Sequence, residues 1–395
     1  MEGTTARYPS DKEAISKQTH ELPFAHVYAS QGTAPVACLA EAVVEYFGQN
    51  MRKVLFGLSG SDANETKIKL VWCYRTYWFV PKRRKSSPAT AAIMVPGWSP
   101  VALPGARSST SSLTCRLISC ATRNAAPLWS GDGWRKRNGE SEEEFSKRCA
   151  RELEELILAE GPDTVGAFIG EPVLGTGGII PPPKGYWKAI QEVLDKHDIL
   201  LIADEVVCGF ARTGEKYGSH LYGMRPDFVT IAKGLSSAYL RIYGSIIGER
   251  VWSILEQGTE QHGPLGHDWT YSGHTLCAAA ALANIQVVGP YWLPRMKAEL
   301  ECHPTVGEVR GIGILSAVEF MRDPKARIPF EPGLQVGERA AATLFGNEVI
   351  ARAMPHADTL GYAPPLIIKR GEVDIIVAVR AVDTTYRALK TEGAI

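Results

Sequence analysis

Three apolar runs in the middle of the chain end in charged or small residues. VGAFIGEPV spans residues 165–173, ILLIADEVV spans 199–207 and FVTIAKGLS spans 228–236. Residues 186–197, which have helical spacing of their apolar positions, separate the first two runs. Strands that are apolar on both faces and alternate with helices are typical of a parallel sheet covered by helices. The sequence therefore predicts an α/β fold built on a mostly parallel sheet.

The segments ahead of these runs extend the pattern. Residues 25–80 have the apolar spacing of a helix, a strand, a glycine turn and a second helix. A charged amphipathic helix is expected from Ser141 onwards, because Ser141 followed by Glu144 is typical of a capping box. These features predict one large domain over residues 25–288, preceded by a short N-terminal segment over residues 1–24.

From about residue 290 the chain changes character. A small-residue helix at 274–288 is followed by a charged helical segment, the strand-like run VRGIGILSAVEF and a final helix near 372–390. Strands and helices that no longer alternate regularly are typical of an α+β unit. We therefore expect a smaller C-terminal α+β domain over residues 289–395.

Charge and composition argue against several classes of protein. The 395 residues include 43 Lys+Arg and 43 Asp+Glu, so no net field favours binding to nucleic acid or to a membrane surface. No apolar run approaches the roughly 20 residues that a bilayer-spanning helix needs, and the first residues are too polar for a signal peptide. The eight cysteines show no CxxC pair and no zinc-like spacing. The chain is expected to be cytoplasmic, with free thiols and no metal site.

Three chemical groups follow predicted strands. Lys233 comes just after FVTIA, where a buried lysine without a carboxylate partner would have a lowered pKa and would act as an amine nucleophile. Asp204 closes the run ILLIAD, at the edge where parallel sheets bind ligands. Gly60 and Ser61 lie between a strand and a helix, where backbone N–H groups bind phosphate. Each has an ordinary alternative when taken alone: a surface lysine, a structural ion pair and a helix cap.

Seven stretches, taken in order, carry a family resemblance. They are LSGSDANETKIKLVW, EPVLGTGGIIPPPKGYW, LLIADEVVCGFARTG, RPDFVTIAKGLSS, TYSGHT, HPTVGEVRGIG and VIARAMPHADTLGYAPPLII. Together they resemble the class III aminotransferases of the fold type I enzymes that use pyridoxal 5′-phosphate (PLP), especially the ω-amino acid or amine:pyruvate group. The resemblance implies a fold type I PLP-transferase.

The resemblance also implies roles for residues that bind the cofactor. Lys233 matches the lysine that bonds covalently to PLP, and Asp204 matches the acid that contacts its pyridine nitrogen. Val206 matches the aliphatic side chain that packs on one face of the ring. Gly60 and Ser61 match positions that bind the phosphate.

Three further residues match positions around the cofactor. Thr270 in TYSGH matches the threonine that reaches the phosphate of the neighbouring subunit, which implies a homodimer with shared active sites. Arg352 in IARAM matches the arginine that binds the substrate carboxylate, a task that suits its forked side chain. Glu171 matches a residue that supports the site, and a structural ion pair is an equal alternative for it.

The implied activity is transamination in two half-reactions. An amine or ω-amino acid would donate the amino group, and an α-keto acid such as pyruvate would accept it. An aminomutase or decarboxylase of the same class is an alternative within PLP chemistry. A non-catalytic homologue that has lost PLP binding is the alternative from another class.

The sequence departs from the family pattern in three places. Family members usually carry a longer segment ahead of the part that matches FAHVYASQG, and the hairpin between ANIQVV and HPTVGEVRG is shortened here to GPYWLPRMKAELEC. The third departure is residues 85–130, which are rich in Ser, Pro, Ala and Arg and have no clear period. We expect these departures to limit activity.

A shifted reading frame accounts for residues 85–130. Met94 is encoded by ATG and Val95 begins with GT, so reading one base earlier gives GGT, a glycine codon. Neighbouring codons in that frame permit Arg-Gly-Tyr-His-Gly-Ser, in which the family's tyrosine stacks on the PLP ring, and residues 113–116 permit Phe-Asp-Leu-Pro. We interpret this stretch as out-of-frame sequence that forms no ordered part of the large domain. A divergent loop is the alternative.

Overall fold

The fold is known from a computed structural model, which describes part of the chain. The described residues are 9–27, 31–48, 50–79, 92–94, 117–118, 137, 139–263, 267, 269–284, 292–355, 358–364 and 381–391. Within these ranges, no helix combines the length and the hydropathy that crossing a bilayer requires.

A seven-stranded sheet occupies the centre of the described large domain. Its strands are β1 (Met51–Gly57), β2 (Ala92–Met94), β3 (Leu117–Ile118), β4 (Val165–Gly170), β5 (Leu200–Asp204), β6 (Phe228–Ile231) and β7 (Tyr243–Gly248), in the order β1-β7-β6-β5-β4-β2-β3. β7 runs antiparallel to both its neighbours, and the other neighbouring pairs are parallel. The predicted α/β fold with a mostly parallel sheet is confirmed.

Helices cover both faces of this sheet. They are α1 (Pro9–Glu21), α2 (Ala34–Phe47), α3 (Gly60–Phe79), α4 (Glu142–Glu160), α5 (Tyr186–Lys196), α6 (Gly218–Leu221), α7 (Glu249–His262) and α8 (Thr275–Asn284). The predicted capping box is present at the start of α4. The Glu144 N–H donates to Ser141 Oγ over 3.2 Å, and the Ser141 N–H donates to the Glu144 carboxylate over 2.7 Å. These two bonds satisfy backbone donors that the first helical turn leaves free.

A second, smaller sheet follows along the chain. It contains β8 (Val306–Ile312), β9 (Leu315–Phe320), β10 (Arg352–Ala353) and β11 (Thr359–Tyr362), antiparallel in the order β10-β11-β9-β8. Helices α9 (Trp292–Leu300), α10 (Val336–Gly346) and α11 (Ala381–Thr391) accompany it. This is the α+β character expected for the C-terminal part. The boundary between residues 288 and 289 stays a prediction, because residues 285–291 lie outside the described ranges.

Only five positions of the unusual stretch 85–130 are described. β2 pairs in parallel with β4 and with β3, so residues 92–94 and 117–118 do join the sheet, in contrast to the expectation that the stretch contributes no order. Pairing over two or three residues uses the backbone and needs no long apolar period, which explains why the sequence pattern did not indicate it. The rest of residues 85–130 lies outside the described part of the chain.

Candidate active site

The carboxyl edge of the parallel strands carries three of the predicted site residues. Glu171 directly follows β4, Asp204 is the last residue of β5, and Lys233 lies two residues beyond the end of β6. These strands are neighbours in the sheet, in the order β6-β5-β4. Because parallel strands present their carboxyl ends at one edge, the three side chains meet at the crevice where such sheets bind ligands.

Charge links these three residues. Burial raises the pKa of Glu171 to about 7, the negative charge of Asp204 adds to this effect, and the positive charge of Lys233 opposes it. Burial also raises the pKa of Asp204, against the Val206 N–H that donates to Asp204 Oδ1 over 3.1 Å and against the charges of Lys67 and Lys233. Burial therefore opposes the ionisation of both carboxyl groups in the crevice, and the positive charge of Lys233 favours it.

Lys233 has an unusual backbone conformation and an accessible side chain. It begins a short 3-10 turn, Lys233–Leu235, with φ of +43°, in the left-handed region that costs a non-glycine residue free energy. Its side chain is exposed. The sequence left a buried amine and a surface lysine open at this position, and the structure has an exposed side chain. The left-handed turn carries the residue out of the apolar strand β6, to an edge that already holds Asp204.

The start of α3 lies against the residue that follows the Asp204–Glu205 pair. A Cβ atom added to Gly60 would lie 3.3 Å from Val206 Cγ2, so glycine allows the helix start to approach Val206 closely. Ser59 Oγ accepts the Asp62 N–H over 3.3 Å, and Ser61 is the second residue of the helix. The first N–H groups of a helix favour an anionic ligand, so the geometry suits a phosphate beside Val206.

A small apolar cluster forms the floor between the helix start and the lysine turn. Ala63, Ala232 and Tyr243 are buried together, and Val206 and Trp269 pack against them. Val206 thus lies beside the residue that precedes Lys233. Trp269 precedes Thr270, whose side chain is exposed at the start of a turn.

Arg352 belongs to the smaller sheet. It is the first residue of β10 and is exposed. Two residues later, Met354 packs with Ile179 and Leu315, and Val207 lies against the same cluster. The smaller sheet therefore packs beside the segment that follows Asp204. The structure brings Lys233, Asp204, Glu171, Val206 and Gly60 together, whereas Thr270 and Arg352 lie on flanking elements.

The carboxylate next to Asp204 has a different environment. Glu205 is fully buried and accepts the N–H groups of Gly218 over 3.0 Å and of Ser219 over 2.6 Å, at the start of α6. Burial raises its pKa to about 7. Successive residues of a strand point to opposite sides, so one carboxylate reaches the crevice and the other supports a helix.

Sequence reasoning missed the residues that hydrogen bonds link to Asp204. Lys67 is fully buried, and its Nζ donates to Thr230 Oγ1 over 2.6 Å. Thr230 Oγ1 donates in turn to Asn64 Oδ1 over 3.4 Å, and Asn64 hydrogen-bonds to Asp204. The helical period of α3 indicates that Lys67 is buried, because Lys67 falls on the same face of the helix as the apolar residues Ala63 and Leu70.

Comparison with known proteins agrees with this arrangement. The profile of the family described as "Aminotransferase class-III" matches residues 7–379. The chain is a class III aminotransferase. A diaminobutyrate–2-oxoglutarate transaminase of Halomonas elongata is 49% identical over 97% of this chain and 84% of its own length. A putrescine–pyruvate aminotransferase of Pseudomonas aeruginosa is 36% identical, over 95% of this chain and 83% of its own length.

Solved structures give the same family. The ω transaminase from Pseudomonas jessenii in complex with PMP superposes with a TM-score of 0.85 and 34% identity, over 97% of this chain and 86% of that chain. The fold of this aminotransferase is therefore that of the PLP-dependent transaminases, fold type I.

The residues of the crevice fit the cofactor that this family uses. A carboxyl group, a lysine amine and a helix start are the chemical groups that PLP needs for its pyridine nitrogen, its aldehyde and its phosphate. They surround the Val206 cluster, whose apolar side chains suit a ring face. In this aminotransferase, Asp204, Lys233 and Gly60 with Ser61 would hold those three parts. The tyrosine that stacks on the ring in family members corresponds to the segment 91–96 of this chain. Of that segment, the structure describes only the backbone of residues 92–94.

Proposed function

We propose that this aminotransferase moves an amino group from the terminal amine of an amine or ω-amino acid to an α-keto acid such as pyruvate. The relatives named for diaminobutyrate, γ-aminobutyrate and putrescine support this donor class, since each of those compounds carries a primary amine on a terminal carbon. Acceptors in the relatives' names are pyruvate and 2-oxoglutarate, both α-keto acids.

The single observation that carries the proposal is the meeting of Lys233, Asp204 and Glu171 at the ends of three neighbouring parallel strands. When bound, PLP supplies an electron-withdrawing ring that makes the proton on the donor carbon acidic. The Lys233 amine holds the cofactor and moves that proton. The Asp204 carboxylate keeps a proton on the pyridine nitrogen, because a buried negative charge stabilises a cation beside it.

Other residues bind and orient. The N–H groups at Gly60 and Ser61 bind the phosphate, and Val206 excludes water from one face of the ring. Arg352, exposed on β10, binds the carboxylate of a keto acid or an amino acid donor. Glu171 accepts the Gly175 N–H over 2.9 Å and thereby orients the loop after β4 beside Asp204.

Two features complete the proposal. We place Thr270 at the phosphate of a partner subunit, in a homodimer, because it is exposed and follows a tryptophan that packs on the Val206 cluster. The cytoplasmic location and the impairment inferred from residues 85–130 also stay predictions. An aminomutase or decarboxylase is not favoured, because the relatives described above are transaminases.

Covalent labelling tests the role of Lys233. The protein is incubated with PLP, reduced with borohydride and digested, and the pyridoxyl group is located by peptide mass spectrometry. We expect the label on the peptide that contains Lys233 and no visible absorbance band in Lys233→Ala, with the exposed Lys188→Ala as the control that keeps the band. A label on another lysine, with Lys233 unmodified, would end the assignment.

Single-turnover kinetics test the role of Asp204. Asp204→Asn removes the charge and keeps the shape, so the reaction of the PLP-loaded protein with an amine should slow by about a hundredfold or more. Asp195→Asn, at an exposed site on α5, is the matched control and should leave the rate unchanged. A rate for Asp204→Asn within a few-fold of the parent would contradict the role.

A further inference from the structure

A lysine is buried inside the large domain, and none of its hydrogen-bond acceptors among the described residues is a carboxylate. Lys67 is fully buried, and its hydrogen-bond acceptors in the described part of the chain are three neutral oxygens: Thr230 Oγ1 at 2.6 Å, Ser245 Oγ at 3.3 Å and the Ala63 carbonyl at 3.4 Å. Burial of an ammonium group is costly unless a charge compensates it. The nearest compensation comes from Asp204, whose charge acts on Lys67 through space.

A hydrogen-bonded route also connects Lys67 to Asp204. Thr230 accepts from Lys67 and donates to Asn64, and the Asn64 side chain hydrogen-bonds to Asp204. Thr230 is paired with Asp204 across β5 and β6. Lys67 therefore acts on Asp204 both through this hydrogen-bonded route and through its charge.

Two cations compete for one carboxylate in this arrangement. If Asp204 holds a protonated pyridine ring, as proposed above, a protonated Lys67 that acts on the same carboxylate repels that ring and draws on the same negative charge. Burial lowers the pKa of Lys67 to about 7, with Asp204 opposing the change, so Lys67 gains and loses its proton near neutral pH.

We propose that Lys67 is a positioning residue that acts through Asp204, and that it gives up its proton when the cofactor's ring occupies the crevice. The inference rests on the proposed role of Asp204. Cofactor binding then becomes weaker as the pH falls and Lys67 becomes charged. The parent chain releases a proton from Lys67 when it binds the cofactor.

The neighbouring titratable groups define what the experiment must separate. Lys233 and Glu171 act on Asp204 from the crevice side, and Glu205 directly follows it after the end of β5. His267 and Tyr243 hydrogen-bond to Thr66, the residue before Lys67. From α7, Arg250 acts at the other end of α3, beside Tyr74. All of these groups are unchanged in a Lys67 variant, so the difference between parent and variant isolates Lys67 and its effect on Asp204.

The test measures binding of pyridoxamine 5′-phosphate, which has no aldehyde and so cannot bond to Lys233. Its dissociation constant is determined by calorimetry between pH 6 and pH 8, for the parent, Lys67→Met and Lys67→Gln. In the parent, the effect of Lys67 should make the dissociation constant about tenfold higher at pH 6 than at pH 8. Binding requires Lys67, with a pKa near 7, to lose its proton, and this costs more at the lower pH. Both variants should lack that tenfold change.

Proton release gives a second readout. Titrations at pH 7 in two buffers of different ionisation enthalpy should show that the parent releases about half a proton more than Lys67→Met. Lys67→Met should fold, because both hydroxyl groups that contact Lys67 still have an acceptor. Thr230 Oγ1 donates to Asn64 Oδ1, and Ser245 Oγ donates to the Ala63 carbonyl over 3.2 Å. Lys67→Gln provides a second neutral side chain that can still donate to both hydroxyls.

The matched control is Lys69→Met, on the same helix. Lys69 is exposed and hydrogen-bonds to His267 Nδ1 over 3.0 Å, so its removal takes a lysine from the same helix and leaves the residues that link Lys67 to Asp204 in place. The proposal fails if the parent, Lys67→Met and Lys67→Gln share one pH dependence, or if Lys69→Met alters it as much. Absence of binding by all four proteins would instead overturn the proposed function, and this inference with it.

Discussion

Replacing Lys67 with Met should change how the stability of the cofactor-free protein depends on pH. The pKa of Lys67 lies at about 7 in the folded protein, against 10.5 for an exposed lysine. The unfolded chain therefore binds more protons than the folded one between these two values. Stability from this group is fully present above pH 10.5 and is lost as the pH falls through 7, with a total change of roughly 5 kcal/mol.

The part of this change that falls in an accessible range is smaller. Between pH 8 and pH 6, Lys67 should lower the free energy of unfolding of the parent by about 1 kcal/mol. Removing Lys67 also takes away one of the two lysine charges that act on Asp204, which raises the pKa of Asp204 and makes the variant lose stability as the pH rises. Both effects give the parent a more positive slope of stability against pH than Lys67→Met.

Urea denaturation of the cofactor-free protein, followed by circular dichroism at pH 6, 7 and 8, measures this slope. The slope is the decisive quantity, because the lost hydrogen bonds to Thr230 and Ser245 shift the absolute stability equally at each pH. Lys69→Met, an exposed site on the same helix, should keep the slope of the parent. Parallel curves for the parent and Lys67→Met would refute the reasoning and show that the buried amine stays protonated throughout this range.

Two further outcomes follow from the fold and the proposed site. Gly57→Ala should lower the free energy of unfolding by about 1–3 kcal/mol in the same assay, because a Cβ there would overlap the ring of the buried Tyr243; a stability equal to the parent's would mean that the ring moves freely. In sedimentation at micromolar concentration, the protein should be a dimer that tightens when PLP is added, and Thr270→Ala should reduce that tightening; a PLP-bound monomer would rule out the shared site.

Apolar strands made most of the large domain predictable. β4, β5 and β6 are buried along their whole length or nearly so, and their uninterrupted apolar runs indicated a parallel sheet with its functional groups at one edge. The direction of β7 was not predictable in this way. YGSIIG is buried throughout, and a run that is apolar on both faces has the same pattern whether it lies parallel or antiparallel to its neighbour.

The environment of single side chains was harder to predict. The exposure of Lys233 depends on a left-handed turn at a non-glycine residue, which local residue types do not favour. The buried position of Lys67 follows from the helical period of α3, but a lysine at such a position contradicts ordinary burial preferences. The sequence therefore predicted the positions of Glu171, Asp204 and Lys233 at or just after strand ends, whereas the buried charge of Lys67 that acts on Asp204 required the three-dimensional arrangement.

The adjacent carboxylates at the end of β5 constrain how the gene can vary. Asp204 faces the crevice, and Glu205 accepts hydrogen bonds from the start of α6. The two adjacent carboxylates therefore have different roles that depend on their order in the chain. Loops beyond the strand can gain or lose residues without disturbing that order. A single-residue deletion inside β5 would shift the register, turn Glu205 towards the crevice and leave α6 without its acceptor. Insertions and deletions should therefore accumulate after β5 and be eliminated within it.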